Sequence, residues 1–181
     1  MNETELDRLI RERRSIRKFK PDVPPKELVD AVAKAGLLAP TGRNQGSTVV
    51  IRIGDPALRE AIVRTNAEIM GAPPPGRPAD PFYGAPVILL VIASKARAET
   101  AVHDGSLALG NMMLKAHELG LGACWIHRAA QEMDTPAGRA VIEKAGLSDR
   151  EWIGVGHLAL GYADQPLPAP RPYDPSRYIT V

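Results

Sequence analysis

Apolar side chains recur every three to four residues in several stretches of the chain, a spacing typical of helices that bury one face. Close to the N-terminus, Leu6, Leu9 and Ile10 share such a face. Thr4 precedes them and Asp7 follows it three places later, which is a weak form of the capping box. The predicted helices begin at Thr4, run from Pro24-Pro25 to Pro40 and from Asp55-Pro56 to about Met70, and cover residues 104–119 and 135–145.

Shorter apolar stretches predict the strands, which are residues 48–53, 86–93, 123–126 and 152–160. The stretch 86–93 is almost wholly apolar, as expected of a strand that helices cover on both faces, so it should be central in its sheet. The order of helices and strands indicates an α+β or α/β domain with helices on both faces of the sheet.

Proline marks the longer connections between these elements. Proline residues gather at 73–81 and at 166–175, where neither a helix nor a strand can propagate, so both stretches are predicted loops. The length of 181 residues suits one domain, because two domains of half this size would each have a small core. We therefore expect a single domain over residues 1–181.

Composition indicates a folded protein of the cytoplasm. Hydrophobic residues make up 44% of the chain and charged residues 24%, close to the usage of globular proteins. The single cysteine, Cys124, cannot form an internal disulfide, and the N-terminus lacks the pattern of a secretory signal. No apolar run approaches the ~20 residues of a membrane span. The net charge of +2 argues against nucleic acid or an anionic membrane as the main partner.

The predicted helix over residues 104–119 differs from the others because apolar residues surround most of its circumference. Such a helix is buried on several sides. In a chain of 181 residues this favours packing against a second subunit.

Positive charge is concentrated near the N-terminus, where Glu12 alone opposes Arg8, Arg11, Arg13, Arg14, Arg17, Lys18 and Lys20. The segment Arg13-Arg14-Ser15-Ile16-Arg17 offers guanidinium groups for bidentate contacts with phosphate, and a serine hydroxyl as a further donor. The alternative is a solvated basic helix end beside the negative pole of the helix dipole, which composition alone favours.

Several familiar motifs are missing. The glycines Gly154 and Gly156 continue into His157-Leu158-Ala159, so the dinucleotide-binding fingerprint fails. The chain also lacks a Walker loop, an H-E-x-x-H helix and a paired-cysteine metal site. A Rossmann dehydrogenase, an NTPase and a zinc enzyme are therefore disfavoured, and no metal is expected.

Two further polar segments stand beside predicted elements. Residues 39–45 read Ala-Pro-Thr-Gly-Arg-Asn-Gln after a helix, and ordinary turn chemistry accounts for them when they are taken alone. Residues 120–128 read Gly-Leu-Gly-Ala-Cys-Trp-Ile-His-Arg, which by itself indicates only a helix stop followed by a strand.

In their order and spacing these three segments resemble the nitroreductase family of flavoproteins. The family pattern has R-R-S-x-R near the N-terminus, a loop like A-P-S-x-x-N-x-Q about two dozen residues later, and G-L-G-x-C-W-I in the second half. This chain has them at 13–17, 39–45 and 120–126. Residues 80–86, 104–114 and 154–162 also match in kind, as in a compact, short subgroup of the family.

The resemblance implies an α+β, three-layer fold with a central mixed β-sheet flanked by helices. It also implies a homodimer with FMN at the subunit interface and an extended C-terminal tail, about residues 163–181, on the partner subunit. The implied reaction is hydride transfer from NADH or NADPH through the flavin to a nitroaromatic, a quinone or a similar small acceptor, by a ping-pong mechanism.

The resemblance also implies the site. The residues expected to bind the cofactor are Arg13, Arg14, Ser15, Arg17, Thr41, Gly42, Asn44, Gln45, Asn66, Trp125, Ile126, His127, Arg128 and Arg171, with Arg177 as the alternative to Arg171. Arg17 is the candidate for stabilising the negative charge that reduction leaves at flavin N1 and C2=O. The loop 41–45 would reach the flavin from the partner chain, and backbone N–H groups of 125–128 would lie near O4 and N5. No side chain is expected to act as an obligatory acid or base.

Two departures from the family pattern bear on substrate choice. Gln45 is followed by Gly46-Ser47-Thr48, which removes an aromatic residue commonly found near the pocket rim. The chain also lacks the long insertions of larger members, so we expect a wider or partner-gated site. The alternatives are a dehalogenase or flavin-consuming enzyme of the same fold, with residues 73–82 as the candidate lid, or a basic protein that binds nucleic acid or another anionic partner without flavin.

Overall fold

The computed structural model describes residues 3–73, 76, 79–148 and 151–181. Residues 74, 75, 77 and 78 of the predicted loop and candidate lid at 73–82 lie outside the described residues. The helices are α1 (Glu5–Glu12), α2 (Lys26–Leu37), α3 (Pro56–Met70), α4 (Ala101–Glu118), α5 (Ala129–Met133) and α6 (Pro136–Lys144). The strands are β1 (Thr48–Arg52), β2 (Val87–Ala93), β3 (Gly122–Ile126) and β4 (Ile153–Gly161).

The helix signals in the sequence are confirmed. The Thr4 hydroxyl accepts a hydrogen bond from the Asp7 backbone N–H at 3.2 Å, and the Asp7 carboxylate accepts one from the Thr4 backbone N–H at 2.9 Å. α4 begins at Ala101, three residues before the predicted start. α5 was not predicted, because a helix of five residues is too short to show a periodic pattern.

The four strands form one sheet in the order β1-β2-β4-β3. β2 and β4 are therefore central, and every residue of β2 is buried, which confirms the expectation for residues 86–93. The expectation of a mixed sheet needs correction. The named strands are all antiparallel, and among the described residues parallel pairing is limited to an isolated bridge between Ser15 and Ala123. Apolar patterns predict strands but not their relative direction, which connections elsewhere in the fold decide.

Alternation along β2 divides the core between the two faces of the sheet. Val87, Leu89 and Val91 pack with residues of α2 and α4, whereas Ile88 and Ile92 pack with residues of α3, α5 and α6. Helices therefore cover both faces, as predicted. On the first face α4 lies close to β4, since a Cβ added at Gly105 would come 2.5 Å from Val155 Cγ2.

The chain that leaves α1 closes the outer edge of β3. The Ile16 backbone N–H donates to the Ala123 carbonyl at 3.0 Å, and the Lys20 N–H donates to the Tyr162 carbonyl at 2.9 Å. This pairing brings the basic N-terminal segment against the start of β3 and the chain that follows β4. Among the described residues, no helix is both long and apolar enough to cross a membrane.

Candidate functional site

The basic N-terminal segment divides into two parts with different surroundings. Arg8 binds Glu5 at 2.6 Å and Glu12 at 2.9 Å, and Arg11 binds Glu3 at 2.7 Å. The side chains of Arg8 and Arg11 are 44% and 48% exposed. Carboxylates of the same region therefore balance these two charges, and solvent screens them.

Arg13 and Arg14 are half-buried and differ from their neighbours. Among the described residues, neither forms an ion pair. Burial lowers the pKa of the Arg13 guanidinium, and the adjacent charge of Arg14 lowers it further. The Arg14 guanidinium donates from Nε to the Ala169 carbonyl at 2.9 Å and from Nη1 to the Arg13 carbonyl, but its Nη2 is buried with no hydrogen-bond partner in the described structure. A buried donor of this kind is costly unless a ligand satisfies it.

A cavity of about 250 Å³ lies beside these two arginines. Its wall combines the end of α1, the last turn of α4, the start of β3 and the chain after β4. The residues that line it are Arg13, Arg14, Ile16, Met113, His117, Gly120, Leu121, Gly122, Ala123, Ala163, Gln165 and Leu167. Gly122 is required for this arrangement, because a Cβ there would come 2.9 Å from Ile16 Cγ1. The structure thus brings together two of the predicted segments, 13–17 and 120–126.

His117 is a cavity residue that sequence reasoning missed. Burial lowers its pKa; Glu12 opposes this shift, and the charges of Arg8, Arg13 and Arg14 add to it. Its buried Nε2 has no partner in the described structure. The available signal was weak: His117 follows Met113 by one helical turn, which places both on the same face of α4.

The other residues of the N-terminal motif are held through the backbone. Ser15 forms the bridge to Ala123, and the Arg17 N–H donates to Gln165 Oε1 at 2.9 Å. The Arg17 side chain is exposed. Gln165 lies in a loop without a recognisable motif, so nothing in the sequence pointed to it.

The predicted loop 41–45 lies at the opposite end of α4 from His117. The Gly42 N–H donates to both carboxylate oxygens of Asp104, at 3.1 and 3.2 Å, and the Ser47 hydroxyl donates to the same carboxylate at 2.6 Å. Asp104 and His117 are separated along the helix by roughly 20 Å, at 1.5 Å per residue. Within one chain the loop is therefore not part of the cavity around Arg13.

Asp104 is the buried anchor of this loop. Burial alone would raise its pKa, but hydrogen bonds from Ser47, Thr100 and the Gly42 N–H outweigh that effect, and its pKa is lowered. The loop itself has an unusual backbone, with φ of 50° at Arg43 and 56° at Asn44. The Thr41 hydroxyl accepts from the Gly46 N–H at 3.0 Å, and Gln45 is exposed.

The third predicted segment ends in a turn after β3. Trp125 is partly buried against Gly156, Ile126 is buried and His127 is exposed. Arg128 is partly buried, and its Nε donates to Asn66 Oδ1 at 3.3 Å.

Two predicted contacts lie away from the cavity. Asn66 is fully buried, with both ends of its amide bonded to protein groups, so it does not line the cavity beside Arg13. Arg171 and Arg177 are both exposed and are absent from the cavity wall. The C-terminal tail instead approaches the arginines through Leu167 and the Ala169 carbonyl.

These features define an α+β domain with a cationic cavity at the edge of its sheet, suited to a phosphate or another anion. In the parts of the chain that the structure describes, no three or more His, Cys, Asp or Glu side chains lie so that they could hold a metal ion together. The model of the Nitroreductase family matches residues 10–162, and the chain belongs to this family.

Known proteins resemble this chain in sequence or in fold. The chain is 32% identical over 124 residues to a protein of Methanothermobacter thermautotrophicus named "Putative NADH dehydrogenase/NAD(P)H nitroreductase"; the match covers 64% of this chain and 57% of that relative. A nitroreductase with bound FMN from Bacteroides fragilis has a TM-score of 0.82 at 22% identity, over 98% of each chain, and this likeness concerns the fold. A nitroreductase with bound FMN from Desulfitobacterium hafniense has a TM-score of 0.81 at 25% identity, over 100% of this chain and 99% of that one.

Proposed function

We propose that this protein binds FMN and acts as an NAD(P)H-dependent oxidoreductase that reduces a small acceptor, such as a nitroaromatic or a quinone, by a ping-pong mechanism. Family membership supports the proposal, as do the two solved nitroreductases of the same fold that hold FMN. The named relative from Methanothermobacter thermautotrophicus supports NADH or NADPH as the electron donor.

One observation carries the proposal: Arg8 and Arg11 form ion pairs, whereas Arg13 and Arg14 form none with the residues that the structure describes. A phosphate group fits the second pair, because its oxygens accept hydrogen bonds from guanidinium groups and would satisfy the buried Arg14 Nη2. His117 and Gln165 add polar groups to the same cavity.

The residues of this chain would bind the cofactor, orient it and balance the negative charge of its phosphate. When bound, FMN supplies the redox chemistry by accepting hydride from a reduced nicotinamide and passing electrons to a second substrate. Arg13 and Arg14 would hold the phosphate, with Ser15 beside them. The backbone N–H groups of residues 125–128 lie at the other end of β3, roughly 10 Å or more from Gly122 at 3.3 Å per residue, and would face the ring.

A second copy of the chain would complete the site. The loop 41–45 lies at the far end of α4 from the cavity, so it would reach the cofactor from the partner subunit. Exposed apolar side chains support such a dimer: Val102 and Leu107 on α4, and Tyr173, Tyr178 and Ile179 in the tail. Residues 163–169 of the tail contact the N-terminal segment of their own chain, so the part of the tail that would pack on the partner is residues 170–181.

An absorbance spectrum of the freshly purified protein tests the proposal most directly. We expect a yellow protein with flavin bands, which oxidises NADH or NADPH steadily when a nitroaromatic or a quinone is present. A protein that stays colourless after incubation with FMN would refute the flavin assignment. Bound FMN that neither nicotinamide reduces would contradict the reductase and favour another reaction of the same fold.

A further inference from the structure

A hydrogen-bonded network of buried polar side chains lies behind the turn that follows β3. Asn66, Glu132 and His157 are all fully buried, although none belongs to the cavity around Arg13. Asn66 Nδ2 donates to Glu132 Oε2, and His157 Nε2 lies 3.0 Å from Glu132 Oε1. At the other end, Arg128 Nε donates to Asn66 Oδ1 at 3.3 Å. This network therefore connects the buried side chain of Glu132 to the partly buried Arg128.

Two neighbours of fixed hydrogen-bonding character determine the orientation of the Asn66 amide. Arg128 only donates, so the amide oxygen of Asn66 faces it. The Ile62 carbonyl only accepts and lies 3.4 Å from the NH₂ group. The NH₂ group therefore also faces Glu132. This sequence of donors and acceptors removes the usual ambiguity in the orientation of an asparagine amide.

Packing holds the carboxylate in place. His157 occupies its second oxygen, and the Phe82 ring packs edge to face on the imidazole, with ring centroids 5.2 Å apart. A Cβ added at Gly138 would come 2.3 Å from the Glu132 carbonyl oxygen, so α6 lies directly against the backbone of α5. Glu132 is thus buried and in contact on several sides where the Asn66 amide bonds to it.

Arg128 is held by a neutral partner. Its observed partner is a neutral amide, and among the described residues no carboxylate forms an ion pair with it. Arg17, by contrast, is exposed, and its observed hydrogen bond is made by the backbone. Of these two arginines, Arg128 is the one whose guanidinium the protein orients in advance of binding.

We propose that Arg128, oriented by Glu132 through Asn66, is the cation that stabilises negative charge on the reduced flavin ring, and that Asn66 acts as a positioning residue rather than a flavin contact. The inference rests on the proposed function. Hydride transfer from a nicotinamide carries two electrons and one proton to the flavin, so the ring gains one negative charge. A fixed guanidinium near that charge binds the reduced form more strongly than the oxidised form.

The first test is the midpoint potential of bound FMN in the Arg128→Leu variant of the reconstituted holoprotein. We expect reduced FMN to lose about tenfold or more in affinity relative to oxidised FMN, which lowers the potential of this two-electron couple by ~30 mV or more. Arg64→Leu is the matched control, since Arg64 is an exposed arginine on α3. Its potential should equal that of the wild type.

The second test asks whether Glu132 and Asn66 act through Arg128. Glu132→Gln and Asn66→Leu should lower the potential in the same direction by a smaller amount, and Glu143→Gln on the surface of α6 should not change it. Adding Glu132→Gln to Arg128→Leu should produce no further shift, because the interaction has already been removed. In the apoprotein, the Arg128 Nε–H proton should exchange slowly with water in NMR spectra, and Asn66→Leu should abolish this protection.

The outcomes separate this inference from the proposed function. If FMN binds and is reduced, but Arg128→Leu leaves the ratio of reduced to oxidised affinity within twofold of the wild type, the role of Arg128 is wrong and the reductase assignment stands. If Glu132→Gln and Asn66→Leu lower only the melting temperature, the network is structural and the positioning role is wrong. A wild-type protein that binds no FMN overturns both proposals.

Discussion

Arg8 and Arg11 lie within seven residues of Arg13 and Arg14, yet the two pairs have opposite surroundings. The first pair is exposed and bonded to glutamates of the same N-terminal region. The second pair is half-buried beside a cavity, without a carboxylate partner among the described residues. All four residues carry the same charge in the sequence. In the structure, glutamates balance the charges of Arg8 and Arg11, whereas Arg13 and Arg14 are available to a ligand.

The cause of this difference is the end of a helix. Arg8 lies inside α1, where Glu5 and Glu12 are three and four residues away and share its face. Arg13 is the C-cap, with φ of −54° and ψ of 129°, so the chain leaves the helix there and turns toward β3. Beyond Arg13 the chain is no longer helical, so a carboxylate three or four residues away no longer lies beside the arginine. The contacts of Arg13 and Arg14 depend instead on the residues at the edge of the sheet.

The largest effect is expected when the unpaired arginines are removed. Arg13→Ala and Arg14→Ala should each weaken FMN binding by roughly 10- to 100-fold, because a charge-assisted hydrogen bond contributes about 1.5–3 kcal/mol. Arg8→Ala and Arg11→Ala remove the same charge from paired, exposed positions and should change the affinity by less than about threefold. Titration of the apoprotein with FMN, followed by flavin fluorescence, measures all four. Equal losses in both pairs would mean that general positive charge, and not the cavity, attracts the cofactor.

A smaller effect is expected from His117, whose folded-state pKa lies below its ordinary value. Between the folded and unfolded pKa values the unfolded chain binds more protons, so the free energy of unfolding of the apoprotein should decrease as the pH falls below about 6.5. His117→Gln should flatten this part of the curve, whereas His103→Gln, which changes an exposed histidine on the same helix, should leave it unchanged. Bound phosphate should also reduce the dependence, because its negative charge raises the pKa of His117. Urea unfolding between pH 5 and 8, with and without inorganic phosphate, measures this. A curve for His117→Gln that matches the wild type would show that His117 is not the source of the pH dependence.

The smallest effect is expected from breaking the exposed ion pairs themselves. Arg8→Ala should shift the melting temperature by less than about 2 °C, because solvent and salt screen a pair at the surface. The melting-temperature shifts measured in 10 mM and in 500 mM salt should differ by less than about 2 °C. A large, salt-sensitive loss of stability would show that the Arg8 pairs hold α1 in place, and the contrast with Arg13 would then be one of degree.

Much of the fold could be predicted from local patterns. The capping box at Thr4, the proline at the start of α3 and the wholly apolar β2 each result from neighbouring residues, and the structure confirms them. The antiparallel direction of the strands and the short helix α5 were not predictable in this way. Strand direction depends on which edges meet in space, and a helix of five residues carries too few positions for a periodic signal.

The candidate site was predictable only in part. The motif containing Arg13 and the glycines at 120–122 were recognised by their order along the chain, and they meet in one cavity. His117 and Gln165 were missed, because a single histidine in a helix and a glutamine in a loop carry no distinctive pattern. The expected place of Asn66 at the flavin edge stays a prediction; its amide is buried and bonded to Glu132.

The sequence by itself determined the longer helices, the strands, the family and the segments that are expected to bind the cofactor, because these depend on residue type and on spacing over a few tens of positions. Only the tertiary structure decided which arginines have a carboxylate partner among the described residues. The ion pairs of Arg8, and their absence at Arg13 and Arg14, depend on where α1 ends and on what the edge of β3 places beside it. Ion pairs form between charges that are close in space. Spacing along the sequence predicts that closeness only within a single helix.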